Sequence, residues 1–223
     1  MISIDLSSTV VVFDLDDTLY SEIDYHQSGL NEIIIEIDHI YGKNAADRFR
    51  NYEFSKSKKD VLQEIVYVLD LPIEVKESLL WMYRLHPPKI ALSESNSCVL
   101  AELEISCKKV AILTDGRSVS QRQKINSLKL NHLPLYISEE YASEKPNTLR
   151  FLKIMNDFPA SSYVYIGDNP KKDFLAPNEL NWKTVGLIGN GKNIHSQECS
   201  HLPLANHPNN WIANLKNLLG VLC

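Results

Sequence analysis

Four apolar residues, Val10-Val11-Val12-Phe13, run directly into the carboxylates of Asp14, Asp16 and Asp17 and the hydroxyl of Thr18. A short β-branched and aromatic run of this kind predicts a strand buried on both faces, the type found in the middle of a parallel sheet. The C-terminal end of such a strand opens into the crevice where α/β sheets take ligands. Side chains alternate along extended chain, so Asp14 and Asp16 point the same way, and acids held so close repel one another. A hard divalent cation such as Mg²⁺, which takes oxygen ligands and keeps waters or a phosphate, is the simplest partner for them. The plainer alternative is a solvated turn in which Asp17 or Thr18 caps the next helix.

The pattern after Thr18 changes from strand to helix. Leu30, Ile33, Ile34, Ile37, Ile40 and Tyr41 recur at three-to-four spacing, and Gly42 supplies a C-terminal stop. Asn44 to about Lys56 predicts a second helix. Val61, Leu62, Ile65, Val66 and Leu69 mark a third, closed by Pro72, and Val75, Leu79, Leu80, Met82 and Tyr83 mark a fourth, closed by Pro87-Pro88. These four make a small helical bundle with the Ile and Tyr stripes as its core, although Tyr20, Tyr25 and His26 come early enough to face a crevice beside Asp14.

From about Lys89 helix and strand alternate. A helix over Ser93 to Ser106 precedes the strand Val110-Ala111-Ile112-Leu113, which ends at Thr114-Asp115-Gly116. A helix from Ser118 to Leu128 and a weaker strand, Leu135-Tyr136-Ile137, lead to Glu144-Lys145-Pro146. A helix over Thr148 to Met155 is followed by the strand Tyr163-Val164-Tyr165-Ile166, then Gly167-Asp168 and, one helical turn on, Asp173. A last strand, Thr184 to Leu187, and a C-terminal helix from about Asn210 to Leu219 complete the chain. This alternation predicts a parallel sheet of about five strands, with the first central and helices on both faces. Each polar group follows the end of a strand, so Asp14, Asp16, Thr114, Lys145, Asp168 and Asp173 are expected at one crevice. There Asp14, Asp168 and the backbone carbonyl of Asp16 would bind one Mg²⁺, while Thr114, the amides near Gly116 and Lys145 would hold a phosphate.

With these residues in place, the chain resembles the haloacid dehalogenase-like hydrolase superfamily. Four motifs appear in order as Asp14-Leu15-Asp16-Asp17-Thr18, Thr114-Asp115-Gly116, Lys145-Pro146, and Gly167-Asp168 with Asp173. The resemblance implies an α/β, Rossmann-like core over residues 1–20 and 89–223 and a helical cap over residues 21–88, inserted after the first motif. It implies Asp14 as a nucleophile that becomes an aspartyl-phosphate and Asp16 as the acid/base. Asp14, Asp16 and Asp168 would hold Mg²⁺, Thr114, Asp115, Gly116 and Lys145 would bind phosphate, and Asp173 would support Lys145 or a metal-bound water. Having both Asp16 and Asp168 favours phosphoryl transfer over dehalogenation. A phosphatase acting on a small phosphorylated metabolite is expected. A sugar-phosphate mutase and a phospho-accepting regulatory domain are the alternatives, and Arg117 reads equally as a substrate contact or a surface cation.

Composition narrows the partners. A net charge of -5 over 223 residues argues against a nucleic-acid backbone. No apolar run approaches the ~20 residues of a membrane span, so no membrane partner and a cytoplasmic location are expected. Cys98, Cys107, Cys199 and Cys223 form no CxxC pair and are expected to be reduced and mostly structural. His195, Cys199, His201 and His207 match no zinc spacing and read as a polar surface loop. Oligomeric state and the identity of the substrate are not encoded in any recognisable pattern.

Overall fold

The computed structural model describes residues 5–42, 44–49, 60–189, 191 and 193–222. It divides into two compact units, residues 1–23 with 90–223 and residues 24–89.

The larger unit is built on β1 (Thr9–Phe13), every residue of which is fully buried. Burial of each such Val or Phe stabilises the fold by ~1.5–3 kcal/mol. Around it lie β2 (Lys109–Thr114), β3 (Leu135–Ile137), β4 (Ser162–Gly167), β5 (Lys183–Leu187) and β6 (Asn210–Ile212), in the order β3-β2-β1-β4-β5-β6 and parallel at every pairing. Helices α5 (Glu94–Ser106), α6 (Ser118–Ser127), α8 (Leu149–Asp157) and α9 (Leu175–Glu179), with the single turn α7 (Ser138–Tyr141), provide the crossovers. Strand order reverses on either side of β1, which creates the topological switch point where such sheets bind ligands. Alternate residues Val10, Val12, Ala111, Leu113, Tyr163 and Tyr165 pack one face of the sheet against Phe151, Ile154, Phe174 and Trp182.

The sheet has six strands among the described residues, one more than the sequence pattern suggests. Asn210–Ile212, expected to begin the C-terminal helix, instead pairs with Val185–Leu187. Gly186 has no side chain, so the Trp211 ring lies across it, and this packing overrides the local helical preference. The terminal helix, α10, is correspondingly short, Leu218–Leu222.

The smaller unit contains most of α1 (Glu22–Tyr41), with α2 (Ala45–Phe49), α3 (Val61–Val68) and α4 (Val75–Leu85), and none of its described residues is in a strand. Its core joins Leu30, Ile33, Ile34 and Ile37 to Ala45, Phe49, Ile65, Val66, Leu69 and Leu79. The apolar stripe of α1 stops earlier than its periodicity implies, because Ile40 and Tyr41 are exposed. Asp38 Oδ2 accepts the Ala46 amide at 2.9 Å, so α2 begins beside Asp38 and the last turn of α1 projects past it. Gly42, at φ +59°, ends α1 in the left-handed region that favours glycine. The expected second helix is seen as α2; the positions from 50 to 56 lie outside the described residues.

Candidate active site

The site forms where β1 and β4 end side by side. The Asp14 amide donates to Ile166 O at 2.8 Å, carrying the β1–β4 pairing one residue past the strand and fixing the backbone that bears the first carboxylate. After β4, Gly167-Asp168 enters a tight turn in which the Asp173 amide donates to Asn169 O at 2.9 Å. Asp173 folds back, and its Oδ2 accepts the amides of Asp168 at 3.1 Å and Asn169 at 2.8 Å. A Cβ at position 167 would stand 2.5 Å from that oxygen, so only glycine admits this close approach.

Lys145, from the segment after α7, completes the group. Its Nζ donates to Asp14 Oδ1 at 2.7 Å, Asp173 Oδ1 at 2.6 Å and the Tyr165 hydroxyl at 3.1 Å, with the ammonium nearly fully buried. The carboxylates of Asp14, Asp168 and Asp173 offer oxygens that all lie within 4.8 Å of one another. Asn193 Nδ2 holds Asp168 Oδ2 at 2.7 Å, and Gln197 Nε2 donates to the Asp168 carbonyl at 2.9 Å. A cavity of about 250 Å³ opens over the group, lined also by Asp16, Asp17, Glu22, Thr114, Asp115, Gly116, Glu144, Asn169, Lys172 and His195.

Asp16 is held separately. Its Oδ1 accepts Lys124 Nζ at 2.7 Å and the Tyr20 hydroxyl, and its Oδ2 accepts Gln121 Nε2 at 3.2 Å. Asp17, at φ +52°, takes the Glu22 amide on Oδ1 and the Ile194 amide on Oδ2, both at 2.8 Å. The capping role considered for Asp17 is therefore present beside the cluster: Asp17 anchors the start of α1 while its neighbours face the cavity.

Burial dominates the electrostatics. It pushes the Asp14 carboxyl well above the ordinary range, opposed by Lys145 and assisted by Asp173 and Asp168. Asp168 is pushed up to about 7 by burial, with Asp173 adding to the effect. Glu22 is likewise pushed up to about 7, by burial and then by Asp16, with Lys124 opposing. Burial works against the Lys145 ammonium, yet Asp14 and Asp173 more than offset it and its pKa stands well above the usual value. With one ammonium against three buried carboxyls, ionising all three would leave net negative charge that a divalent cation could balance.

Asp14, Asp16, Thr114, Asp115, Gly116, Lys145, Asp168 and Asp173 all line this cavity, but Asp115 does so with its carboxylate already engaged. It accepts Arg150 Nη2 at 2.5 Å, the Lys145 amide at 3.1 and 3.2 Å and Lys172 Nζ at 3.4 Å, and Arg150 and Lys145 hold its pKa low against burial. Its side chain is thus a strut that helps place Lys145. Arg117 pairs with Glu139 at 2.7 Å on the surface. Tyr25 and His26 belong to the helical unit, where they contact Tyr83. His195, read from sequence as part of a surface loop, lines the cavity, because Asn193 and Gln197 tie its segment to Asp168. Lys124, Gln121, Glu22, Asn193 and Gln197 carried no sequence signal beyond their polarity.

The profile of the haloacid dehalogenase-like hydrolase family matches residues 11–187. Glyceraldehyde 3-phosphate phosphatase of Methanocaldococcus jannaschii is 28% identical over 211 residues, covering 85% of this chain and 90% of that protein. Two solved structures share the fold with a TM-score of 0.63. One is the HAD-hydrolase YfnB from Bacillus subtilis bound to magnesium (17% identity, 97% and 99% of the two chains), and the other is 2-haloacid dehalogenase from Pseudomonas syringae pv. Tomato (16%, 96% and 97%). With the profile spanning both halves of the sheet and every motif in between, the chain belongs to the haloacid dehalogenase-like hydrolases.

Proposed function

We propose that the protein is a Mg²⁺-dependent phosphohydrolase that removes phosphate from a small phosphorylated metabolite through an aspartyl-phosphate on Asp14. The observation that carries this reading is the Lys145 ammonium bridging Asp14 and Asp173 at 2.7 and 2.6 Å, with Asp168 alongside. The bridge fixes the attacking oxygen, and it screens a carboxylate that must approach a phosphate dianion.

Asp14 attacks phosphorus, and the bond from phosphorus to the leaving oxygen breaks. Asp16 gives its proton to that oxygen, releasing the alcohol. Asp16 then takes a proton from water, whose oxygen attacks phosphorus; the bond to Asp14 breaks, and inorganic phosphate leaves. Thr114, Asp115 and Gly116 line the cavity where the phosphoryl oxygens would lie, the Gly116 amide itself being held by Ser138 Oγ at 2.9 Å. Oxygen donors from Asp14, Asp168 and the Asp16 carbonyl suit Mg²⁺, since the buried carboxylates form a compact, electron-rich set. When bound, the ion supplies charge neutralisation at the phosphoryl group.

The helical unit at residues 24–89 is proposed as a cap that confers specificity, supported by its insertion directly after the first motif. The relative's name makes glyceraldehyde 3-phosphate the substrate to assay first. No observation specifically favours a mutase or a phospho-accepting receiver. No described helix is long and apolar enough to cross a membrane, and the free thiols Cys98, Cys107 and Cys199 support the proposed cytoplasmic location. The test is phosphate release from p-nitrophenyl phosphate and glyceraldehyde 3-phosphate, with Mg²⁺ or with EDTA. Many Mg²⁺-dependent turnovers per protein are expected; single-turnover labelling, or activity unaffected by EDTA, would refute the reading.

A further inference from the structure

The two aspartates assigned to chemistry are served by two different lysines. Lys145 belongs to Asp14, whereas Lys124 reaches Asp16 from α6. A lysine side chain only 4% exposed needs an anion wherever it lies, so the pairing alone would be unremarkable. Gln121 changes its meaning. It sits one turn earlier on the same helix and also aims at Asp16, and its Nε2 reaches the Asp115 carbonyl at 2.9 Å. These two donations fix the amide and leave Gln121 Oε1 buried without a partner. An orphaned acceptor costs about 1–3 kcal/mol, a poor arrangement if stability were its purpose. Gly116 makes room for it, since a Cβ there would stand 2.5 Å from Gln121 Nε2.

A carboxylate has about two acceptor positions on each oxygen. Lys124 and Tyr20 fill both positions on Asp16 Oδ1, while Gln121 takes one of the two on Oδ2. We propose that Lys124, with Tyr20 and Gln121, is a positioning residue that saturates Oδ1 and leaves one Oδ2 lone pair as the place where Asp16 exchanges its proton. The proposal rests on the reading of Asp16 as acid/base. In the second step, water gives its proton to Oδ2 as its oxygen attacks phosphorus and the bond to Asp14 breaks. A carboxylate released from Lys124 rotates, and that step suffers most.

The test is Lys124→Met, with Lys124→Arg as the charge-preserving control, assayed with p-nitrophenyl phosphate in saturating Mg²⁺. This leaving group needs little protonation, so the first step is spared. The kcat should fall at least about tenfold, because correct placement of an acid/base is worth ~10²–10⁴. KM should fall with it, so kcat/KM stays within about threefold, and acid-quenched enzyme should carry a phosphoryl group on Asp14 that the parent does not accumulate. Lys124→Arg should restore most of kcat. Parent-like kinetics in Lys124→Met would overturn the proposal, as would kcat and kcat/KM falling together with no trapped phospho-enzyme. Should Lys124→Met fail to fold, Gln121→Leu must show the same trapping, and its absence would have the same force. A parent without Mg²⁺-dependent turnover points instead to failure of the phosphatase reading.

Discussion

Replacing Asp173 with Asn tests whether the acid cluster is organised around a cation. Asp173 is fully buried and its two oxygens serve opposite sides, Oδ2 the amides of Asp168 and Asn169 and Oδ1 the Lys145 ammonium. An Asn whose oxygen keeps the amides must turn its NH₂ toward Lys145, so a donor meets a donor. Breaking a buried charge pair in this way costs roughly 3–5 kcal/mol. Opposing that loss, the substitution removes repulsion on Asp14 and Asp168. Unit charges within 4.8 Å interact by roughly 3–4 kcal/mol per ionised pair at an effective dielectric constant near 20, and because burial raises the pKa of both Asp14 and Asp168 the relief amounts to about one such pair. In EDTA the two effects nearly cancel, and the melting temperature should change by only a few degrees. In saturating Mg²⁺ the cation already screens Asp14 and Asp168, so the full cost should appear, about 6–20 °C at roughly 2–4 °C per kcal/mol. Turnover should fall by about 10² or more as Lys145 loses its second anchor. Calorimetry of parent and variant under both conditions decides the matter. An equal drop in EDTA and in Mg²⁺ would refute the account.

Asp14→Asn should abolish turnover and leave the fold intact, and a turnover within about tenfold of the parent would remove Asp14 as nucleophile. Asp168 and Glu22, both raised to about 7 in the folded protein, bind protons more tightly there than when unfolded. Metal-free stability should therefore fall as pH rises from about 4 to about 7, with Asp14, also raised by burial, adding to the fall, and melting in EDTA across that window is the check; a rise would contradict it. Gly167→Ala places a Cβ against Asp173 Oδ2 and should cost ~1–3 kcal/mol in stability along with activity, read by denaturant unfolding and phosphate release. Inorganic phosphate should raise the melting temperature only when Mg²⁺ is present, and equal protection in EDTA would count against a cation-first site.

The parts of the fold that could be read from the sequence are those whose local pattern and tertiary role agree. Val10–Phe13 is apolar at every position because β1 is covered on both faces, and the motifs at Thr114 and Gly167 follow strands just as clearly marked. Gly42 and Pro72 punctuate the helical unit where the chain turns. Elsewhere, meaning comes only from contact. Gln121 and Lys124 look like the solvated side of a polar helix, and nothing local says that this side faces Asp16. Asn193, His195 and Gln197 sit in an irregular segment placed by its bonds to Asp168 and Leu187. Asn210–Ile212 is too short to signal a strand and becomes one because Gly186 leaves a space the size of the Trp211 ring.

Charge explains why these contacts matter together. Asp14, Asp168 and Asp173 against Lys145 leave two negative charges unmatched, which is the charge of one divalent cation. Lys124 does not contribute to that sum, since it is committed to Asp16 with Glu22 close enough to feel it. Arg150 is likewise committed to Asp115, and Lys172, which is 43% exposed at 3.4 Å from Asp115, is the cation at the cavity edge. Before the metal binds, burial opposes ionisation of Asp14 and Asp168, and ionising them beside a phosphate dianion would bring like charges together where solvent screens little. With a divalent cation bound, the same anion would meet a neutral cluster and, at the cavity edge, the Lys172 ammonium. The burial that makes Asp14 hard to ionise in the metal-free protein would, on the proposed reading, be offset by a bound cation, freeing Asp14 to act as the nucleophile. Lys145 contacts Asp14 directly, while Asp16 stands apart on Lys124, outside the charge cluster, where the proposed mechanism has it exchange its proton.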